Sequence, residues 1–171
     1  LPICPASGDW WWQRSTDSQV TAIHWGTNGD LAVGGDYDGD GKRDLMVFRP
    51  SQGLWYLFSP TTSQTSVVNW GVSTDMPVPA DYDGDRKDDI AVFRPSNGTW
   101  YWLNSSNGQA RIVNWGVNGD IPVPGDYDGD GANDLAVFRA GTWYILSQTS
   151  NIQITSFGLG TDVPLPKRYI P

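Results

Sequence analysis

A chain of 171 residues is long enough for one domain with a substantial core. All nineteen of its acidic residues are Asp and none is Glu, a choice that suits turns and ligand loops rather than helices, so a nearly all-β fold is expected. A formal net charge of −8 without any basic cluster argues against a nucleic-acid partner, and no apolar run approaches the length of a membrane span.

In chain order, one unit is told four times, over residues 1–29, 30–74, 75–119 and 120–161, with 162–171 left as a closing strand. Pro5, Pro50 and Pro95 mark one position, taken by Ala140 in the fourth copy, and Trp10, Trp55, Trp100 and Trp143 mark the next. The chain opens without an initiator Met or a signal peptide and is expected to be processed. Cys4 has no second cysteine to pair with and reads as a small apolar residue or as a thiol that pairs between chains.

Trp10, Trp11 and Trp12 cannot all face inward from one strand, because alternate residues point to opposite faces; Trp11 is expected to be exposed, as is Tyr101 between Trp100 and Trp102. His24, the only histidine, stands where the other copies have Asn69 and Asn114, so it reads as a turn or surface substitution and leaves a serine triad without a base. Trp25, Trp70 and Trp115 each precede a Gly and are expected to pack where units meet. Arg49, Arg94 and Arg139 recur in step with Asp30, Asp75 and Asp120, their expected ion-pair partners.

Each full unit then carries the same acidic loop. Asp36, Asp38, Asp40 and Asp44 form the first, Asp81, Asp83, Asp85 and Asp89 the second, and Asp126, Asp128, Asp130 and Asp134 the third, at loop positions one, three, five and nine. Four carboxylates this close would repel one another without a cation, and alternate side chains on a curling chain point at a common centre. Calcium takes six to eight oxygens, and position seven adds a backbone carbonyl from Lys42, Lys87 or Ala132. Three Ca2+ sites are expected, and three dications would bring the net charge from −8 to −2. Position six is Gly41, then Arg86, then Gly131; the bend there calls for positive φ, so the second loop is expected to be strained and its ion the weakest held.

The fullest copy shows four expected strands: Ile121 to Asp128, Leu135 to Arg139, Thr142 to Leu146 and Ile152 to Phe157. Pro122 and Pro124 cannot donate to a ladder, so the first must be an edge or irregular. Short strands joined by Gly and Asn turns at this density suggest propeller blades or sandwich hairpins. The sequons at Asn97 and Asn104 permit glycosylation in a suitable host.

The phrase DYDGDGxxDLAVFRP, with WG before it and WY after it, resembles the FG-GAP repeats of integrin-type β-propellers, and the likeness covers essentially the whole chain. The resemblance implies blades around a central axis, a calcium loop between the first and second strands of each blade, and a surface serving adhesion or ligand recognition. Such propellers usually have seven blades, whereas this chain has material for four, three of them with calcium loops. The fourth is expected to be split. Leu1 to Pro5 aligns with a second strand and Asp162 to Tyr169 with a first, so the two ends complete one blade, and Arg168 replaces the leading ligand there. The termini pair either within one chain or head to tail between copies as an oligomer or filament.

The expected function is a non-catalytic structural or adhesive module, extracellular or at the cell surface, where calcium is plentiful. The alternatives are a lectin-like propeller whose rim aromatics bind glycans, and an accessory domain of a larger secreted protein.

Overall fold

The computed structural model describes residues 8–14 and 16–164. Among them every regular element is a strand, and none is a helix long and apolar enough to cross a membrane. β1 (Asp9–Gln13) and β2 (Val20–His24) form a two-stranded sheet. β3 (Leu31–Ala32), β4 (Leu45–Arg49), β5 (Leu54–Ser59) and β6 (Gln64–Asn69) form an antiparallel sheet of four in chain order. β7 (Met76–Pro77), β8 (Ile90–Arg94), β9 (Thr99–Leu103) and β10 (Ala110–Asn114) repeat it. β11 (Ile121–Pro122), β12 (Leu135–Arg139), β13 (Thr142–Leu146) and β14 (Ile152–Ser156) repeat it again. The chain divides into two compact units, residues 1–73 and 74–171, each holding two of these sheets.

The second and third expected strands of the fullest copy match β12 and β13, and the fourth ends one residue early at Ser156. The first is corrected. Instead of running from Ile121 to Asp128, it pairs only at Ile121 and Pro122 and resumes as a single bridge between Gly125 and Asp134; β3, which has no proline, is equally short, so it is the turn into the acidic loop that ends the strand. Leu1 to Pro5 with Cys4, and the segment from residue 165 with Arg168 and Tyr169, lie outside the described residues.

One tie recurs in every sheet. Trp10, Trp55, Trp100 and Trp143 donate their indole N–H to the backbone carbonyls of Trp25, Trp70, Trp115 and Phe157, at 2.7, 2.8, 2.7 and 3.0 Å. The same four residues donate their amides to the carbonyls of Gly8, Gly53, Gly98 and Gly141. The first three of these indoles are fully buried, and Phe48 and Phe93 pack on Trp55 and Trp100 at 5.0 and 5.2 Å between centroids. Trp25 and Trp115, half-buried, donate their own indoles to Tyr56 and Tyr144 on the third strand of the next sheet, which agrees with their expected packing role.

The expected ion pairs are present as bidentate clamps. Arg49, Arg94 and Arg139 reach Asp30, Asp75 and Asp120 with shortest distances of 2.7, 2.8 and 2.6 Å, and the three carboxylates are almost wholly buried. Each Asp stands one residue before the first strand, opposite the Arg that ends the second, so the clamp extends the short ladder between them. At Asp30 burial pushes the carboxyl up, and the bonds from Arg49 and the Thr27 amide outweigh it, holding the group below its ordinary range. That contribution to stability is present at neutral pH and is lost as pH falls through the lowered value.

The guanidinium of Arg94 also lies 4.5 Å from the Tyr101 ring, and Asn97 donates to the Tyr101 hydroxyl, so Tyr101 is half-buried and not the exposed rim aromatic expected. Trp11 is 51% exposed, as expected. The shortened fourth copy turns through Ala140 and Gly141, both at positive φ (47° and 86°), a two-residue hairpin in place of the longer turns elsewhere.

The glycine in the indole tie is sterically required. Gly98 has φ of 64°, and a side chain there would strike the carbonyl of Gly116. Gly98→Ala is expected to destabilise the protein by roughly 1–3 kcal/mol, with about 2–4 °C of melting temperature lost per kcal/mol. A thermal melt indistinguishable from the parent's would contradict the tie.

Candidate metal centre

The three loops fold by the same backbone logic. The leading carboxylate of each caps the turn: Asp36 accepts from the amides of Gly39 and Gly41 (2.7 and 2.9 Å), Asp81 from Gly84 and Arg86 (both 2.7 Å), and Asp126 from Gly129 and Gly131 (2.6 and 3.2 Å). Position three accepts from the amide of position five, and position five from that of position seven, as Asp128 does from Asp130 and Asp130 from Ala132. Asp44, Asp89 and Asp134 each accept from the amide at position two, Tyr37, Tyr82 or Tyr127, at 2.9 Å. These local bonds are the ones by which Asp competes with regular secondary structure.

The result is a convergence of carboxylate oxygens. One ligand atom from each of Asp36, Asp38 and Asp40 lies within 4.8 Å of the others, and the same holds for Asp81, Asp83 and Asp85 and for Asp126, Asp128 and Asp134. In each loop three of the four expected carboxylates are thus drawn into one group. Asp44, Asp89 and Asp130 fall outside these groups, and Lys42, Lys87 and Ala132 occupy position seven with their amides turned to position five.

The electrostatics among these carboxylates are adverse. Burial first, then neighbouring carboxylates, pushes Asp44, Asp81 and Asp134 up, and Asp89 up to about 6. Burial beside Asp134 pushes Tyr127 up to about 12. The residues present fit a hard cation, and one atom tests this directly. Asp134 is wholly buried, yet its Oδ1 has no hydrogen-bond partner, although the residue belongs to the convergent group with Asp126 and Asp128. A buried carboxylate oxygen without a donor is costly unless a cation meets it.

The loops differ in their surroundings. In the second, the turn after β9 folds over the carboxylates: Ser105 donates its amide to Asp89 (2.7 Å) and its hydroxyl to Asp85 (2.9 Å), and Ser106 donates its hydroxyl to Asp83 (2.6 Å). In the first, Ser59 reaches Asp38 at 2.8 Å and the Thr61 side chain bonds Asp40. The third is tied to the second through Asn133, whose amide and Nδ2 both donate to the Asp81 carbonyl, at 2.6 and 3.0 Å. Sequence reasoning missed Ser105, Ser106 and Asn133, since a polar residue in a turn carries no signal of which neighbouring loop it will face. Asn104 of the second sequon is buried, whereas Asn97 is exposed and engaged with Tyr101 and Thr99.

The profile of the FG-GAP-like repeat matches residues 36–92 and 81–137, together more than half of the chain. The chain belongs to the FG-GAP-like repeat family. Both matches begin at the leading Asp of a loop and end within the strand that follows the next loop, so each match spans two successive acidic loops. No curated protein sequence matches the chain.

Arg86 takes φ of 71°, close to the 80° and 96° of Gly41 and Gly131, so position six keeps its bend at the cost of a side chain in the left-handed region. Arg86→Gly is expected to stabilise the protein by about 1 kcal/mol and to tighten calcium at the second loop relative to the other two. Gly39, Gly84 and Gly129 each donate to a leading Asp, so their amide NMR shifts in a calcium titration report the loops one by one. An unchanged ordering of the three midpoints would contradict it.

Proposed function

We propose that this chain is a calcium-stabilised β-propeller module of an extracellular or cell-surface protein, structural or adhesive in role and without catalysis. The observation that carries the reading is the buried, unpartnered Oδ1 of Asp134 in a loop that occurs three times with oxygen donors only. Asp36, Asp38, Asp40 and Asp44 would hold the first ion, Asp81, Asp83, Asp85 and Asp89 the second, and Asp126, Asp128, Asp130 and Asp134 the third, each with the position-seven carbonyl of Lys42, Lys87 or Ala132. A bound calcium supplies charge neutralisation; the chain's own part is to hold the oxygens through the glycine amides and to tie the two strands flanking each loop. The sole histidine supports the non-catalytic reading, since His24 is exposed and engaged with Asp9 at 3.0 Å.

Calcium is then a folding ligand. Each site held 100-fold above its dissociation constant adds about 2.7 kcal/mol, so three sites rival the whole stability of an ordinary domain. Excess chelator is expected to lower the melting temperature by tens of degrees, and calorimetry to count three calcium ions per chain. A melt unmoved by chelator would remove the reading.

A second reading concerns assembly. Phe157, Leu159 and Val163 are 76%, 69% and 77% exposed. Their repeat counterparts Trp115, Val117 and Ile121 are more covered, at 48% and 38% for the latter two. The turn after β14 thus presents apolar side chains suited to a further strand, supplied by Leu1 to Pro5 of the same chain in a split blade or by a second copy head to tail. We propose the head-to-tail contact as the adhesive mode. Light scattering is expected to show growth with concentration, abolished by Phe157→Asp; monomers at every concentration would leave closure within one chain.

A further inference from the structure

We infer that the first full repeat carries a pocket for a single neutral pyranose ring, beside its acidic loop and against the hairpin of β5 and β6. A cavity of about 210 Å³ lies there, and Tyr37 and Leu57 supply its apolar walls. Ser59, Thr62, Gln64, Thr65 and Ser66 also line it.

The second repeat shows what this space is shaped for. Tyr82, the counterpart of Tyr37, is anchored in the same way, its hydroxyl donating to Val78 as that of Tyr37 donates to Val33. At the counterpart of Leu57, however, stands Trp102, whose buried indole packs on Tyr82 at 5.3 Å between centroids and 37° between planes. Asn104 likewise replaces Ser59, and the Ser105–Ser106 turn closes over the top. The first repeat keeps the tyrosine and omits the indole, leaving a cavity where a flat ring belongs.

The chemistry of the lining selects the ring. Ser59 already donates to Asp38 and Thr62 already accepts from the Gln64 amide. An aliphatic ligand would leave the rest of the polar lining, Gln64, Thr65 and Ser66, without use, whereas a sugar offers C–H faces to Tyr37 and Leu57 and hydroxyls to those polar groups, the combination of apolar wall and few polar groups that small-ligand sites use. Asp38 and Asp44 also line the cavity, and carboxylate oxygens not taken by calcium accept sugar hydroxyls; no Lys or Arg is in the lining, so nothing there pairs with an acidic sugar. This site is separate from the exposed Trp11. Sugar binding would give the adhesive module proposed above a glycan ligand, and it rests on that reading only in needing the loop to be ordered by calcium.

The test uses the full chain in calcium buffer, with the methyl glycosides of glucose, galactose, mannose and N-acetylglucosamine and of glucuronic acid as probes, read by saturation-transfer NMR. At least one neutral glycoside is expected to receive saturation, with a dissociation constant on the order of 1 mM, and the glucuronide none. Leu57→Trp, which copies Trp102 into the first repeat, is expected to weaken binding at least tenfold while keeping or raising the melting temperature. Ser66→Arg copies the exposed Arg111 and crowds the pocket without touching the core, so it gives the same loss should the tryptophan disturb folding. Saturation of no neutral glycoside, or equal saturation in both variants and the parent, overturns the inference; a melt insensitive to chelator would instead count against the calcium reading alone.

Discussion

The constraint on which the fold depends is the capture of backbone amides by Asp carboxylates at each acidic loop. One leading Asp accepts two amides, the next two accept one each, and the ninth-position Asp ties back to position two. This network bends the chain through almost a full turn between the first and second strands of a sheet. It also consumes local donors that would otherwise need water or a ladder, which is why the first strand shrinks to two paired residues. The same bonds that shape the loop bring like charges together, so geometry and electrostatics pull in opposite directions until a cation resolves them.

The second device is the repeated tie at the other end of each sheet. The indole of the third strand, the carbonyl after the fourth and a glycine before the third form one closed set of bonds, and the Arg–Asp clamp locks the adjacent turn. Burying an indole with its N–H satisfied gives apolar area without an orphaned donor. Trp102 breaks this rule, being buried with its Nε1 unpartnered, and it is also the residue that fills the space the first repeat leaves open.

Much of this was legible in the sequence because the repeat is kept in register. The apolar pattern of the fullest copy located β12 and β13 to the residue, and the repeat paired each Arg with its Asp and identified position six as a bend, where Arg86 indeed takes positive φ. What stayed hidden depended on contacts between copies or on faces. Tyr101 alternates with two tryptophans and so looked outward, yet its outward face is covered by Arg94. Ser105, Ser106 and Asn133 act across loops, and no periodicity within one unit marks them. The first strand was read too long because alternation of apolar residues continues past the point where the chain turns into the acidic loop.

Three copies in one framework also serve as an internal substitution series for the loop. The third has glycine at position six and a buried carboxylate oxygen with no donor. The second has Arg86 under backbone strain, yet its Asp83, Asp85 and Asp89 are bonded by Ser105 and Ser106. Hydroxyl donors lower the cost of the ion-free state and must share or give up those oxygens to a cation, so they reduce the gain on binding. Strain and satisfied carboxylates therefore both weaken calcium at the second loop, Arg86 by straining the bend and the serines by occupying the oxygens. The third is the one whose shape is least tolerable without an ion. Because Asn133 of the third loop grips the carbonyl of Asp81, the leading residue of the second, the loop with the greater demand for calcium is fastened to the loop with the lesser, and order gained at one is passed by two hydrogen bonds to the other.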